Sequence, residues 1–467
     1  MTEDEHYDVA IVGGGIMGTS VLYTLSKFSD VGSIILFEKN DRLAQESTNS
    51  RNNAQTLHVG DIETNYSIEK VVETKAASEL VLKYSSTLPE GESSKIIYPT
   101  TKMVLGVGDR EVEFVDKRYS DKFLSIFPNI RKMDAEEISK TEPYITKGRD
   151  KDERILAAYS DSGNIVSFNT LAESFASNSL YNGKHVKVSL GEYAKEIKEA
   201  NGAYRLITSK SAYTADFVVL AAGGYSLYFA KTMGYGKDLS LLSVGGHFYH
   251  SKKVLNGKVY RVQKGGIPFA AVHGDPDINY PDRTRFGPTV SVLPYLENAR
   301  DITTESHMKA FGDYIKALGM DKDTIESLFN IISDRDIARI LVKNAGYSMP
   351  EAGKYMLVKD EVNSIVPSLK NSDVVFDSGS GGVRPQIIDK KQKELVLGVV
   401  ELKMNGLIFD MAPSPGASAC LKSALEDSID ITNHLGRKFD VGEYSKIFCA
   451  TEEERKSLFG SIRSMTQ

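Results

Sequence analysis

Near the N-terminus, DVAIVGGGIMGTS (Asp8 to Ser20) interrupts an apolar run with three consecutive glycines and adds a fourth at Gly18. Gly13, Gly15 and Gly18 match G-x-G-x-x-G, and the motif sits after a strand-like run, YDVAIV, and before a helical one, MGTSVLYTLSKF. The first glycine allows a tight turn, the second lets a pyrophosphate approach the backbone, and the third lets helix and strand pack closely. The helix N-terminus then offers free N–H groups and the positive end of its dipole to an anion. A second strand, SIILFEK, ends at Glu38, about 20 residues beyond the last glycine, where a ribose-binding acid belongs. A carboxylate there accepts hydrogen bonds from ribose hydroxyls and repels the extra phosphate of NADP. A glycine-rich turn followed by a surface glutamate would explain parts of this pattern, but not strand, turn, helix, strand and acid in order.

Which dinucleotide is bound is decided further along the chain. VVLAAGGYS (Val218 to Ser226, containing Gly223) reads as a second glycine-ended strand that passes beside the nucleotide. MAPSPGASA (Met411 to Ala419) reads as the loop and helix start that receive an isoalloxazine, with Pro415, Gly416, Ala417 and Ser418 allowing close approach. Helix N–H groups there can stabilise negative charge on a reduced flavin. Three nucleotide-binding pieces spread along one chain favour FAD over NAD. The expected fold class is α/β: a Rossmann-type FAD-binding domain with an inserted mixed β-sheet substrate domain. The expected boundaries are 1–95, 151–240 and 370–440 for the discontinuous FAD-binding domain, 96–150 and 241–369 for the substrate domain, and 441–467 for a tail.

The formal net charge is −6, from 57 Lys and Arg against 63 Asp and Glu, which gives no reason to expect a nucleic-acid partner. Two cysteines, Cys420 and Cys449, are too few for a disulfide framework or a cysteine-rich metal site, and suit a reducing interior. No metal is expected. The acidic opening MTEDEHYDVA lacks the basic start of a signal or transit peptide. No stretch approaches the roughly 18 apolar residues of a spanning helix.

LAQESTNSRNNAQTLHVGDIETNYS, PFAAVHGDPD, TRFGPT, VRPQIID and APSPGASACL, taken in order, resemble malate:quinone oxidoreductases, a family within the D-amino-acid-oxidase/glutathione-reductase-like fold. The likeness runs from Tyr7 to about Asn433 and is greatest to the shorter branch of the family. It implies FAD-dependent oxidation of (S)-malate to oxaloacetate, with electrons passing to a membrane quinone. It also implies peripheral attachment on the cytoplasmic side of the cell membrane, and roles in the tricarboxylic acid cycle and the respiratory chain. Another 2-hydroxy acid, lactate or 2-hydroxyglutarate, on the same scaffold is the alternative, as an oxidase or a dehydrogenase.

Oxidising a 2-hydroxy acid needs a base for the hydroxyl proton and cations for the carboxylates. His273, in AVHGDPD, is the first candidate for the base, because imidazole titrates near working pH. His58, in TLHVG, is the second, and His247, in VGGHFYH, the weakest. Arg384, in GGVRPQ, is the first choice for a malate carboxylate and Arg285, in RTRFGPT, the second, since a guanidinium fork can bind a carboxylate bidentately. The amide- and hydroxyl-rich STNSRNNAQT is expected to serve the pyrophosphate and flavin, with Ser47 and Asn53 as candidates. Val188, in HVKVSL, is expected to contact adenine through its backbone. The resemblance adds Met17, Lys39 and Gly382 as cofactor contacts. Two segments with apolar residues at helical spacing, LFNIISDRDIARILVKNAGY and the C-terminal EEERKSLFGSIRS, are candidates for one-sided membrane contact.

Overall fold

The computed structural model describes residues 4–180, 184–263, 272–298, 304–347, 349, 351–396, 398–411 and 416–463. Its centre is an eight-stranded sheet in which Glu5–Val12 lies between two parallel neighbours. Ser33–Glu38 pairs on one side (Val9 with Ile34, Val12 with Phe37) and Ala212–Leu220 on the other (Val9 with Phe217, Val12 with Leu220). Leu407–Met411 extends the sheet beyond 212–220, and His185–Leu190 extends it beyond 33–38. The central strands read as continuous apolar runs because both faces are covered. Helix Ile16–Phe28 leaves only Lys27 exposed, because it is wedged beside helices Phe168–Ser179 and Cys420–His434.

A second eight-stranded sheet is built from segments 97–107, 131–133, 155–166, 248–252, 258–261, 273–277 and 280–287, with Val375–Asp377 at one edge. Ile155–Val166 belongs here, antiparallel to Ile97–Val107 (Leu105 opposite Ala157), and not with the central sheet. The expected boundary between 150 and 151 therefore falls inside this sheet, in the connection between Arg131–Met133 and Ile155–Val166. A third sheet of four strands holds Leu239–Gly245 against Val383–Asp389, so Arg384 is carried by this small sheet and not by the central one. Helices Thr304–Leu318, Lys322–Ser333 and Arg335–Tyr347 each contact a different strand of the small sheet. No helix among the described residues is long and apolar enough to cross a membrane.

Candidate active site

A cavity of about 710 Å³ opens at the carboxyl ends of the parallel strands, where Val12, Glu38, Ala221 and Asp410 line it. This is where open α/β sheets bind their ligands, and the volume falls in the ~300–1,000 Å³ range of small-molecule and cofactor sites. Gly13 adopts φ +114°, and a Cβ there would lie 2.3 Å from the carbonyl oxygen of Ala221. A Cβ on Gly18 would sit 2.0 Å from the Gly13 carbonyl oxygen, so Gly18 serves helix–turn packing beneath the cavity. Gly15 and Met17 line the cavity itself. Gly15 offers no side-chain cap to the helix it starts, and the Thr48 hydroxyl takes only the Ile16 N–H, at 3.1 Å.

Glu38 is fixed at the cavity wall, with Oε2 accepting from Gly14 N at 2.8 Å and Oε1 from Asn40 N at 2.8 Å. Lys39 lines the cavity and pairs with Glu46 at 3.2 Å and with Glu297. Ser47 donates to the Val383 carbonyl at 2.7 Å, tying the hydroxyl-rich loop to the Arg384 strand. Asn53 lines the cavity, but its side-chain amide donates to the carbonyls of Ser47, Thr48 and Asn49, so it shapes the loop from within. Gly382 packs under that loop, where a Cβ would be 2.7 Å from the Asn52 carbonyl oxygen. Gly223, Gly416, Ala417 and Ser418 line the cavity, while Pro415 lies outside the described residues. Val188 sits in His185–Leu190 and packs against the core of the sheet, and it is Glu192 to Lys195, just beyond that strand, that line the cavity.

The substrate-side candidates separate into two places. His58 lines the cavity, and its Nδ1 lies 2.5 Å from Glu63 Oε1, while its backbone N–H donates to Ser418 Oγ at 2.9 Å. Burial pushes the Glu63 carboxyl up, but the hydrogen bond and charge of His58, together with Lys102, outweigh it and hold Glu63 below its usual value. Arg384 also lines the cavity, and its guanidinium has no ion pair or hydrogen bond among the described residues. Burial draws it down from the ordinary arginine value, yet arginine stays charged in proteins.

His273 and Arg285 line no part of this cavity. His273 is 1% exposed, with Nδ1 2.6 Å from Asp275 Oδ2, and Asp275 Oδ1 takes a 2.8 Å bond from Lys258 Nζ. Lys258 also donates to the Ala54 carbonyl at 3.0 Å, and Tyr260, stacked near His273, stands 2.5 Å from Thr56 Oγ1. Arg285 is fully buried, lies over Phe248 at 4.2 Å, and donates to the Ser50 carbonyl at 3.3 Å. Its neighbour Asp277 accepts from Gln55 Nε2 at 2.9 Å, holding Gln55 at φ +55°. These buried charges therefore grip residues 50–56 from behind, and the far side of that segment lines the cavity. His247 is half-buried against Phe376, with Nδ1 3.2 Å from the Ser380 carbonyl, and it too stays out of the cavity lining.

Sequence reasoning missed Glu63, Thr48, Asp410 and the 192–195 segment. Of these only Glu63 carried a usable signal, a carboxylate five residues after a candidate base.

The malate:quinone oxidoreductase family profile matches residues 5–430. A malate:quinone oxidoreductase of Helicobacter pylori is 36% identical over 454 residues, covering 96% of this chain and 99% of that protein. Among solved structures, the dithionite-reduced L-α-glycerophosphate oxidase of Mycoplasma pneumoniae with FAD bound superposes with a TM-score of 0.61 at 17% identity, covering 92% of this chain and 95% of that one. Glycine oxidase of Geobacillus kaustophilus gives 0.61 at 15% identity, covering 94% and 98%. These two likenesses concern the fold alone. With the profile spanning most of its length, the chain belongs to the malate:quinone oxidoreductase family.

Proposed function

We propose that this chain oxidises (S)-malate to oxaloacetate with FAD in the large cavity and passes the electrons to a quinone. The observation that carries the reading is convergence. A histidine backed by a carboxylate, and an arginine without an ion pair or hydrogen bond among the described residues, border the same cavity as the dinucleotide motif. The chain's residues fit FAD: glycines at 13 and 15 clear the approach, the uncapped helix faces an anion, and Glu38 presents a fixed carboxylate to a ribose. Bound FAD would supply a hydride acceptor.

His58 takes the hydroxyl proton, and Glu63 holds the imidazole in orientation and stabilises its charge once protonated. Arg384 binds a carboxylate of malate and orients the C2 hydrogen. Tyr225 and Leu296, at the cavity margin, keep water from the reacting atoms.

A lipid-soluble acceptor implies contact with a bilayer. Among the described residues, eight of the eighteen exposed large apolar side chains fall within residues 304–349, among them Met308, Phe311, Ile325, Phe329, Ile332 and Val342. The three helices that carry most of them already bury other faces, such as Tyr314, Leu318 and Ile331. Lys309 and Asp313, on the same helix as Met308 and Phe311, line the cavity. Peripheral attachment through these outer faces would bring the quinone to the flavin.

The test is an anaerobic visible spectrum of purified protein before and after L-malate, with quinone then added to one aliquot and air to another. Flavin bleaching by malate with recovery on quinone alone is expected. Bleaching by lactate or 2-hydroxyglutarate but not malate would move the substrate, and rapid recovery in air would make the protein an oxidase.

A further inference from the structure

A second cavity, of about 410 Å³, adjoins the cofactor cavity, and the two share Gly416 and Ser418 in their linings. Its wall is charged, with Glu401, Lys403, Lys422, Glu426 and Asp430 contributing, and Lys70 and Glu73 facing them from helix Ile68–Ser86. Between the two lie buried carboxyl groups that the malate chemistry does not use. Asp410, 2% exposed, lines the cofactor cavity, and neither of its oxygens has a hydrogen-bond partner among the described residues. Asp427 is fully buried and lines neither cavity. Its oxygens also lack an aligned hydrogen bond, and Lys403 Nζ stands 3.2 Å from Oδ1.

The groups form a series. Lys403 Nζ bridges Asp427, at 3.2 Å, and Glu401, at 3.1 Å. Glu401 stands opposite Asp410 in the strand pair 400–404/407–411, and Lys403 gathers Glu401 at 3.1 Å and Asp430 at 2.7 Å on the side of the second cavity. Burial pushes the Asp410 and Asp427 carboxyls well above the ordinary value, and the neighbouring acid Glu401 adds to this against the opposing charge of Lys403. A buried carboxyl with no donor aimed at it is stable only with its proton on. Such a group can hand over a proton and be recharged.

Resting on the function proposed above, we infer that Asp410 and Asp427 form a proton-carrying link from the second cavity to the cofactor cavity, serving quinone reduction. Conversion of a quinone to its quinol takes two electrons and two protons. One proton arrives with the hydride and the other leaves Asp410, whose carboxylate is reprotonated by Asp427. Asp427 in turn takes its proton from Glu401, which lines the second cavity, shares Lys403 with Asp427 and is recharged from water there. Atoms and charge balance without a further reactant.

The link is tested on the flavin-loaded protein by infrared difference spectroscopy, oxidised against dithionite-reduced, in light and heavy water. A deuterium-sensitive band of a protonated carboxyl should change on reduction, vanish in Asp410→Asn and be altered in Asp427→Asn. In stopped flow, reoxidation by a short-chain quinone should slow by about 10²-fold in Asp410→Asn and slow also in Asp427→Asn, whose residue lies outside the cavity lining. A band that persists in Asp410→Asn, or reoxidation at the wild-type rate in both variants, overturns the link. If Asp410→Asn does not hold flavin, Asp427→Asn decides alone, and an unchanged band and rate there overturn it. Failure of malate to reduce the wild type would count against the substrate reading and leave the infrared result intact.

Discussion

Two histidine–carboxylate pairs in this protein look interchangeable in sequence and differ in what surrounds them. His58 borders the cofactor cavity, its imidazole side chain 19% exposed, with Glu63 behind it at 6%. His273 and Asp275 are shut into the second sheet, at 2% and 0%, with Lys258 as a third member. The first pair has a free edge toward a ligand. The second is one side of a buried clamp whose other contacts are the backbone and side chains of residues 50–56. A base must reach the proton it removes, so cavity access selects between them where residue type could not.

The largest expected effect breaks the comparison at the cavity. His58→Ala should lower malate turnover by about 10²–10⁴-fold, with the flavin spectrum and the unfolding midpoint close to wild type. His273→Ala should do the reverse, lowering the midpoint while the protein that remains folded keeps most of its turnover. A His273→Ala enzyme that is stable, flavin-loaded and inactive would return the role of base to His273.

The carboxylate partners sharpen the same contrast. Asp275→Asn leaves Lys258 buried without its counter-charge, and removal of one member of a buried pair costs about 3–5 kcal/mol. Urea denaturation should register that loss. Glu63→Gln also touches a buried carboxylate, but its partner His58 reaches the cavity and is 19% exposed, so a smaller stability loss and a larger drop in turnover are expected. Equal denaturation shifts in the two variants would remove the distinction between clamp and catalytic pair.

Much of the nucleotide end was legible in the sequence because a diphosphate demands specific backbone geometry at fixed spacing. Gly13, Gly15, Gly18 and Glu38 lie at the spacing their chemistry requires, and no long-range contact is needed to see it. The substrate end was legible only as residue types. His58 and His273 both follow an apolar residue and stand within two residues of a glycine, and nothing local says which one the strand pairing will bury. That is settled by Lys258 and Asp275, 17 residues apart in sequence and 2.8 Å apart in space. Val188 shows the same limit: its strand was identified, but the contact with the cavity comes from the turn after it, whose course depends on pairing with the Glu38 strand. Asp410 carried no signal, since a single acid in an apolar strand acquires meaning only when its burial is known.

The smallest expected effect is a pH slope. Burial disfavours the charged form of His273, and Lys258 and Arg285 add repulsion that the Asp275 charge does not fully offset, so the folded-state pKa lies below the ordinary 6.5. In the unfolded chain the same imidazole binds a proton as the pH falls through 6.5, while in the folded protein it resists. The unfolded state then holds more protons, and stability falls with pH across the window that opens at 6.5 and extends down to the lowered value. Thermal unfolding at pH 7 and pH 5.5 should therefore show a smaller drop in His273→Gln than in the wild type, because glutamine has no proton to take up. An unchanged drop would mean that another group sets the acid lability of the fold, and that the His273 environment is less closed than its contacts imply.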